Sequence, residues 1–120
     1  MSVNIKDWNV WFGASHILKN INLEFHKNRI SAIVGPSGCG KTTLLKSMNR
    51  TAELDEGFRC RGKITLSGED VYEKKSAADV RRRIGMVFQV PIALPLSIKE
   101  NVLFGPRYYG VTSKRRLDEL

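Results

Sequence analysis

Residues 35–42 read Gly35-Pro36-Ser37-Gly38-Cys39-Gly40-Lys41-Thr42, the pattern G-x-x-x-x-G-K-[ST]. Such a loop turns backbone N–H groups inward, toward the phosphate oxygens of a nucleoside triphosphate. A lysine in the seventh place reaches the β- and γ-phosphates as a point charge. A hydroxyl in the eighth, here Thr42, is a ligand for Mg²⁺. The eight residues therefore imply a strand before them and a helix after them.

The flanks agree with that implication. Arg29-Ile30-Ser31-Ala32-Ile33-Val34 is a short apolar run rich in β-branched residues, which predicts a central, buried parallel strand. Lys41 to Met48 reads KTTLLKSM, with Leu44, Leu45 and Met48 at helical spacing. The helix start then faces the phosphates, where its dipole favours negative charge. A dinucleotide-binding turn is excluded, because Gly38-x-Gly40 requires glycine at position 43 and Thr43 stands there.

The chain has 120 residues, 42% of them hydrophobic, which suits one small domain with a core. No apolar run reaches membrane-spanning length, and the opening MSVNIKDWNV lacks the pattern of a signal peptide. A cytoplasmic location is the expectation. Two cysteines, Cys39 and Cys60, make no disulfide framework, and Cys39 reads as a small residue at a variable place in the loop. The net charge of +8 raises the question of nucleic acid. The basic clusters are Lys74-Lys75, Arg81-Arg82-Arg83 and Lys114-Arg115-Arg116. None is interleaved with aromatics along the chain, so solvated helix faces are expected and no nucleic-acid partner.

Residues 3–12 alternate with a slip at Asp7, predicting a strand with a bulge. A turn at 13–15 leads to a strand over 16–25, and Lys27-Asn28 is a tight turn. Residues 51–62 are polar and turn-rich. Residues 63–66 form a short strand ending at Ser67-Gly68, and Ser76 caps a helix to Arg83. Ile84 to Phe88 reads as a second buried strand, followed by a loop from Gln89 to Pro95. Ser97-Ile98-Lys99-Glu100 is a capping box for a helix through Phe104, stopped by Gly105-Pro106. A last helix begins near Thr112-Ser113 and is still running at Leu120. The class is mixed α/β.

Among phosphate-loop proteins, no N-K-x-D of a GTPase occurs, and no kinase lid is recognisable. Phe12-Gly13 before the loop, Asn20-Ile21-Asn22-Leu23 on its approach, and Gly85-Met86-Val87-Phe88-Gln89 after it together resemble an ATP-binding cassette (ABC) ATPase. Over nearly all of the chain, the proline-bracketed stretch Gln89 to Pro95, Ser97-Ile98 with Asn101-Val102, and Gly105-Pro106-Arg107 resemble the phosphate-import members. Val90 to Leu94 departs from their usual polar and aromatic residues.

The resemblance implies a P-loop fold of ABC type with an antiparallel β subdomain, binding ATP and Mg²⁺. Phe12 would stack on adenine, with Trp11 as the fallback. Gly35, Pro36, Ser37, Gly38, Cys39, Gly40, Lys41, Thr42 and Thr43 would hold the phosphates. Lys41 and Gln89 would act in catalysis, and Thr42 and Gln89 on the metal. The region from Gln89 would meet transmembrane permease subunits, and a second ATPase subunit would complete a homodimer at the cytoplasmic side of the inner membrane.

The same resemblance exposes what the sequence lacks. Leu66-Ser67-Gly68-Glu69-Asp70 is not the LSGGQ signature, lying before Gln89 and without its glutamine. Leu117-Asp118-Glu119 follows arginines rather than a buried strand. His16 and His26 precede the loop and read as exposed or half-buried strand residues, not as a switch histidine. The expectation is the N-terminal half of a cassette, binding nucleotide without turning it over.

Overall fold

The computed structural model describes residues 2–73 and 76–120. The basic pair Lys74-Lys75 lies outside the described residues. Two compact units are formed, Met1–Met86 and Val87–Leu120.

The first unit is built on a four-stranded antiparallel sheet, in the order β2-β1-β3-β4. The strands are β1 (Val3–Phe12), β2 (Ser15–Phe25), β3 (Phe58–Leu66) and β4 (Glu69–Asp70). Alternation sends Ile5, Trp8, Val10, Leu18, Ile64 and Leu66 to one face, all buried. Helices α1 (Lys41–Met48) and α2 (Ala77–Arg83) add Leu44 and Val80 to the same cluster. Fully burying a side chain such as Val10 or Ile64 stabilises the fold by roughly 1.5–3 kcal/mol.

The slip at Asp7 is a bulge. Lys6 pairs with Lys63 and Asn9 with Arg61, so two residues of β1 oppose Gly62 alone. Asp7 and Asn20 have φ of 50° and 48°, and Gly62 has 109°. A Cβ at Gly62 would stand 2.2 Å from the Asp7 carbonyl oxygen, so only glycine fits there. Buried Asn9 satisfies the irregular backbone. Its Nδ2 donates to Asp7 O at 2.9 Å, and its Oδ1 accepts from Asn20 N at 3.0 Å.

Two expected strands are not formed. Neither 29–34 nor 84–88 is a strand. Ile30 and Val34 are 102% and 87% exposed. A parallel strand exists only between hydrogen-bonded neighbours, and among the described residues neither run has one. Conversely, β3 begins at Phe58, five residues before the expected start. Its polar members face outward and Phe58, Cys60 and Ile64 inward.

The second unit holds α3 (Ile98–Tyr108) and α4 (Lys114–Asp118). Ser97 Oγ accepts from Glu100 N at 3.1 Å, half of the expected capping box. Glu100 itself turns to Arg107, at 2.9 Å. Gly105-Pro106 does not stop α3. The chain runs on to Tyr108, because Tyr109 N still reaches Gly105 O at 3.1 Å and Val111 N reaches Pro106 O at 2.9 Å. The last helix ends at Asp118, with Glu119 as its C-cap, short of the expected Leu120.

Candidate nucleotide-binding site

Residues 37–40 form a turn and a bend that pass directly into α1. Gly38 and Gly40 take φ of 80° and 100°, where a side chain is strained. Gly40 also lies against β2, since a Cβ there would stand 2.8 Å from Leu18 Cδ2. Gly40 is the N-cap residue and supplies no capping side chain, and the first turn of α1 carries no acid. The first N–H groups of the helix therefore keep their donors for an anion, at the positive end of its dipole.

Lys41 folds back over the loop. Its Nζ donates to the carbonyl oxygens of Gly35 and Pro36, the latter at 3.0 Å. Thr42 is exposed, as are Ser37, Gly38 and Cys39. Cys39 N closes a turn onto Pro36 O at 3.3 Å. A Cβ at Gly35 would stand 2.9 Å from Cys39 Sγ, so the loop is wound tightly on itself. Thr43 O accepts from Ser47 Oγ at 2.8 Å, which ties the first turn of α1 to the next.

The far end of α1 is anchored by groups that the sequence motif does not reveal. Thr51 N reaches Lys46 O at 2.9 Å and Arg50 N reaches Ser47 O, a Schellman ending with Arg50 in the left-handed position at φ 63°. Arg50 pairs with Glu53 at 3.0 Å and lies 5.3 Å over the Tyr72 ring. Tyr72 Oη donates to Ser47 O at 2.7 Å, and Arg81 donates to Arg50 O at 2.7 Å. Burial pushes the Tyr72 hydroxyl far up, with Cys60 and Glu53 adding to the effect and Arg50 and Arg81 opposing it. Cys60 is raised for the same leading reason, then by Glu53 and Asp70.

Phe12 is half-buried. It packs on the helix-bearing face of the sheet, its ring 5.9 Å from that of Phe58. Trp11 points to the other face. Its ring stacks on His16 at 4.4 Å, while the Arg59 guanidinium lies 4.9 Å over it from the strand on the opposite side. Both faces of the indole are thus taken, so Phe12 and not Trp11 remains the candidate for holding a base. His16 is half-buried in β2, and exposed His26 lies just past the strand.

Gln89 belongs to the second unit, where it is exposed at the head of the loop to Pro95. Asn101 pins the far end of that loop. Its Oδ1 accepts from Leu94 N at 2.8 Å, and its Nδ2 donates to Leu96 O and Ser97 O. Spacing alone gave Asn101 no role. A cleft between α3 and α4, lined by Lys99, Leu103, Arg107 and Leu117, holds none of the phosphate-loop groups.

The ABC transporter family matches residues 18–120, a span that includes both the phosphate loop and Gln89. The chain belongs to the ABC transporter family. Members of this family bind ATP. Over 119 residues the ABC chain is 46% identical to the phosphate import ATP-binding protein PstB of Thermotoga maritima. That similarity covers 98% of this chain and 47% of the relative, so the chain spans about half the length of the curated relative it matches. Among the described residues, no helix is long and apolar enough to cross a membrane.

Proposed function

We propose that this chain is the N-terminal part of the nucleotide-binding domain of an ABC importer, and that the whole protein hydrolyses ATP to drive uptake of inorganic phosphate. The observation that carries the reading is the uncapped start of α1 behind Gly38 and Gly40, with Lys41 folded over the loop. Phosphate oxygens replacing the Gly35 and Pro36 carbonyls would meet the ammonium and the N–H groups of residues 38–43 together. The exposed hydroxyl of Thr42 and the carboxamide of Gln89 are the donors suited to Mg²⁺, which when bound screens the phosphate charge. Phe12 offers an aromatic ring on the sheet face that carries α1. Phosphate as the transported solute rests on the likeness to the Thermotoga protein.

The loop from Gln89 to Pro95, held by Asn101, is proposed to face permease subunits at the cytoplasmic side of the membrane. A second ATPase subunit is proposed to complete the site in the whole protein, together with a carboxylate to polarise water. The chain alone then binds MgATP without steady turnover. Calorimetric titration of MgATP, alongside an assay of phosphate release, tests this. Saturable binding that Lys41→Ala weakens by about ten- to a hundredfold, with no sustained release, is expected. Steady hydrolysis lost in Lys41→Ala would overturn the non-hydrolysing reading, and absence of binding would overturn the nucleotide site in this chain.

A further inference from the structure

The sheet face turned away from α1 and α2 is cationic. Ile5 and Ile64 are paired and buried, so their neighbours Lys6 and Lys63 project from the other face, directly opposite one another. Next along the ladder come Asn9 opposite Arg61, and then Trp11 opposite Arg59. The four basic residues are exposed. Among the described residues, none of them makes an ion pair. The neighbouring acids are Asp7, at the bulge, and exposed Glu24, opposite Asn4 on β2. Arg59, Arg61 and Lys63 alternate within five residues of β3, and the antiparallel pairing of β1 with β3 adds Lys6 and Trp11 to them.

Like charges set directly opposite on a ladder are destabilising, so the Lys6–Lys63 pair opposes folding unless an anion lies over it. The positive track runs from Lys6 to Trp11, about 15 Å at the rise of a strand. It is a plane of side chains standing up from a sheet and not a groove. The indole at its end has His16 on one side and Arg59 on the other, which leaves no free ring face for a nucleobase. A flat cationic face with an aromatic whose edge alone is presented matches the plane of anionic headgroups at a bilayer surface. A transporter family works at such a surface.

We propose that the outer face of β1 and β3, through Lys6, Arg59, Arg61 and Lys63, docks on anionic lipid headgroups. The inference is independent of the nucleotide site, because these residues lie on the opposite face of the sheet from Phe12 and α1. The test is co-sedimentation of the chain with vesicles of phosphatidylcholine, with and without about one third phosphatidylglycerol, at low and at physiological salt. Expected is binding only to the anionic vesicles, weakened by salt. Each basic side chain near such a surface contributes about fivefold, so Arg61→Glu with Lys63→Glu should weaken it more than tenfold. The neutral pair Lys6→Gln with Lys63→Gln relieves the repulsion within the ladder, keeps the fold, and should weaken binding at least fivefold. Arg115→Glu with Arg116→Glu, outside the face, should leave it unchanged. Equal binding to neutral vesicles, equal loss in the Arg115 and Arg116 variant, or no loss in the neutral pair would overturn the proposal. Tighter, salt-sensitive binding to duplex DNA than to vesicles would overturn it in favour of nucleic acid.

Discussion

The ammonium of Lys41 lies 3.0 Å from the carbonyl oxygen of Pro36, and it donates also to that of Gly35. The cation is thus held by the backbone of the very loop it would serve. Entry of a triphosphate exchanges two neutral acceptors for charged ones, which strengthens each bond roughly twofold. Lys41→Ala removes that gain, about 1.5–3 kcal/mol for bonds to a charged group. MgATP affinity measured by calorimetry should fall by about ten- to a hundredfold, with the thermal transition little changed. Affinity within twofold of the parent would show that Lys41 does not reach the phosphates.

Gly62 faces the Asp7 carbonyl, 2.2 Å from where a Cβ would lie, at φ 109°. Gly62→Ala combines a backbone clash with a left-handed alanine. A loss of about 2–4 kcal/mol in urea denaturation is expected. By contrast Gly68, with nothing within 4 Å of an added Cβ, carries only its φ of 82°, and Gly68→Ala should cost about 1 kcal/mol.

Arg50 closes α1 in the left-handed region at φ 63° while pairing with Glu53 and covering Tyr72. Two effects compete on replacing it. Glycine relieves backbone strain of about 1 kcal/mol, while loss of the half-buried pair and ring contact costs about 2–3 kcal/mol. Arg50→Gly should therefore be destabilised modestly, and Arg50→Ala by about 1 kcal/mol more. The reverse order in denaturant midpoints would mean that the left-handed backbone at position 50 stores no strain, since both variants lose the same side-chain contacts.

Cys60 and Tyr72 both hold their protons more tightly folded than unfolded, chiefly through burial. A raised folded value means the stabilisation is complete below the unfolded values, 9.0 for the thiol and 10.0 for the phenol. It is lost as pH rises beyond them. Thermal midpoints should be level through neutral pH and fall steeply in alkali. Tyr72→Phe should flatten the alkaline fall, while weakening the fold at neutral pH by about 1–2 kcal/mol, since Ser47 O loses its shorter hydrogen bond and keeps only that from Arg50 N. An unaltered alkaline slope in that variant would refute the assignment to Tyr72.

The phosphate loop and α1 were legible because eight residues in fixed order specify a backbone path almost without help from the rest of the chain. The bulge at Asp7 was legible for a similar reason: alternation along β1 changes phase there. Residues 29–34 and 84–88 were misread because an apolar run states what it needs to bury, and not whether a hydrogen-bonded neighbour is present. The early start of β3 was hidden by its arginines, which look turn-like along the chain but line an outward face. The joining of Lys6 and Trp11 on β1 to Arg59, Arg61 and Lys63 on β3 was hidden for the opposite reason. It arises only when strands some fifty residues apart align, and a scan for basic clusters sees neighbours in sequence alone. Gly105-Pro106 reads as a stop because proline removes an N–H from the helical ladder, yet helical bonding resumes past it, with Tyr109 N reaching Gly105 O.

The extra residue at Asp7 has a reach beyond its own turn. Trp8, Val10 and Phe12 face α1 only because β1 gains one position there; counted without it, Trp11 would take the inner side and Phe12 the outer. Deleting Asp7 itself would remove one residue together with the extra position and keep those faces, whereas a single-codon deletion past the bulge, at Val10, would swap the duties of two adjacent aromatics. It would bury an indole where a phenyl ring now lies and expose Phe12 among the arginines. Point substitutions that change the chemistry of β1 are milder events than a change in its length, and natural variation in this hairpin should be rich in the former and poor in the latter.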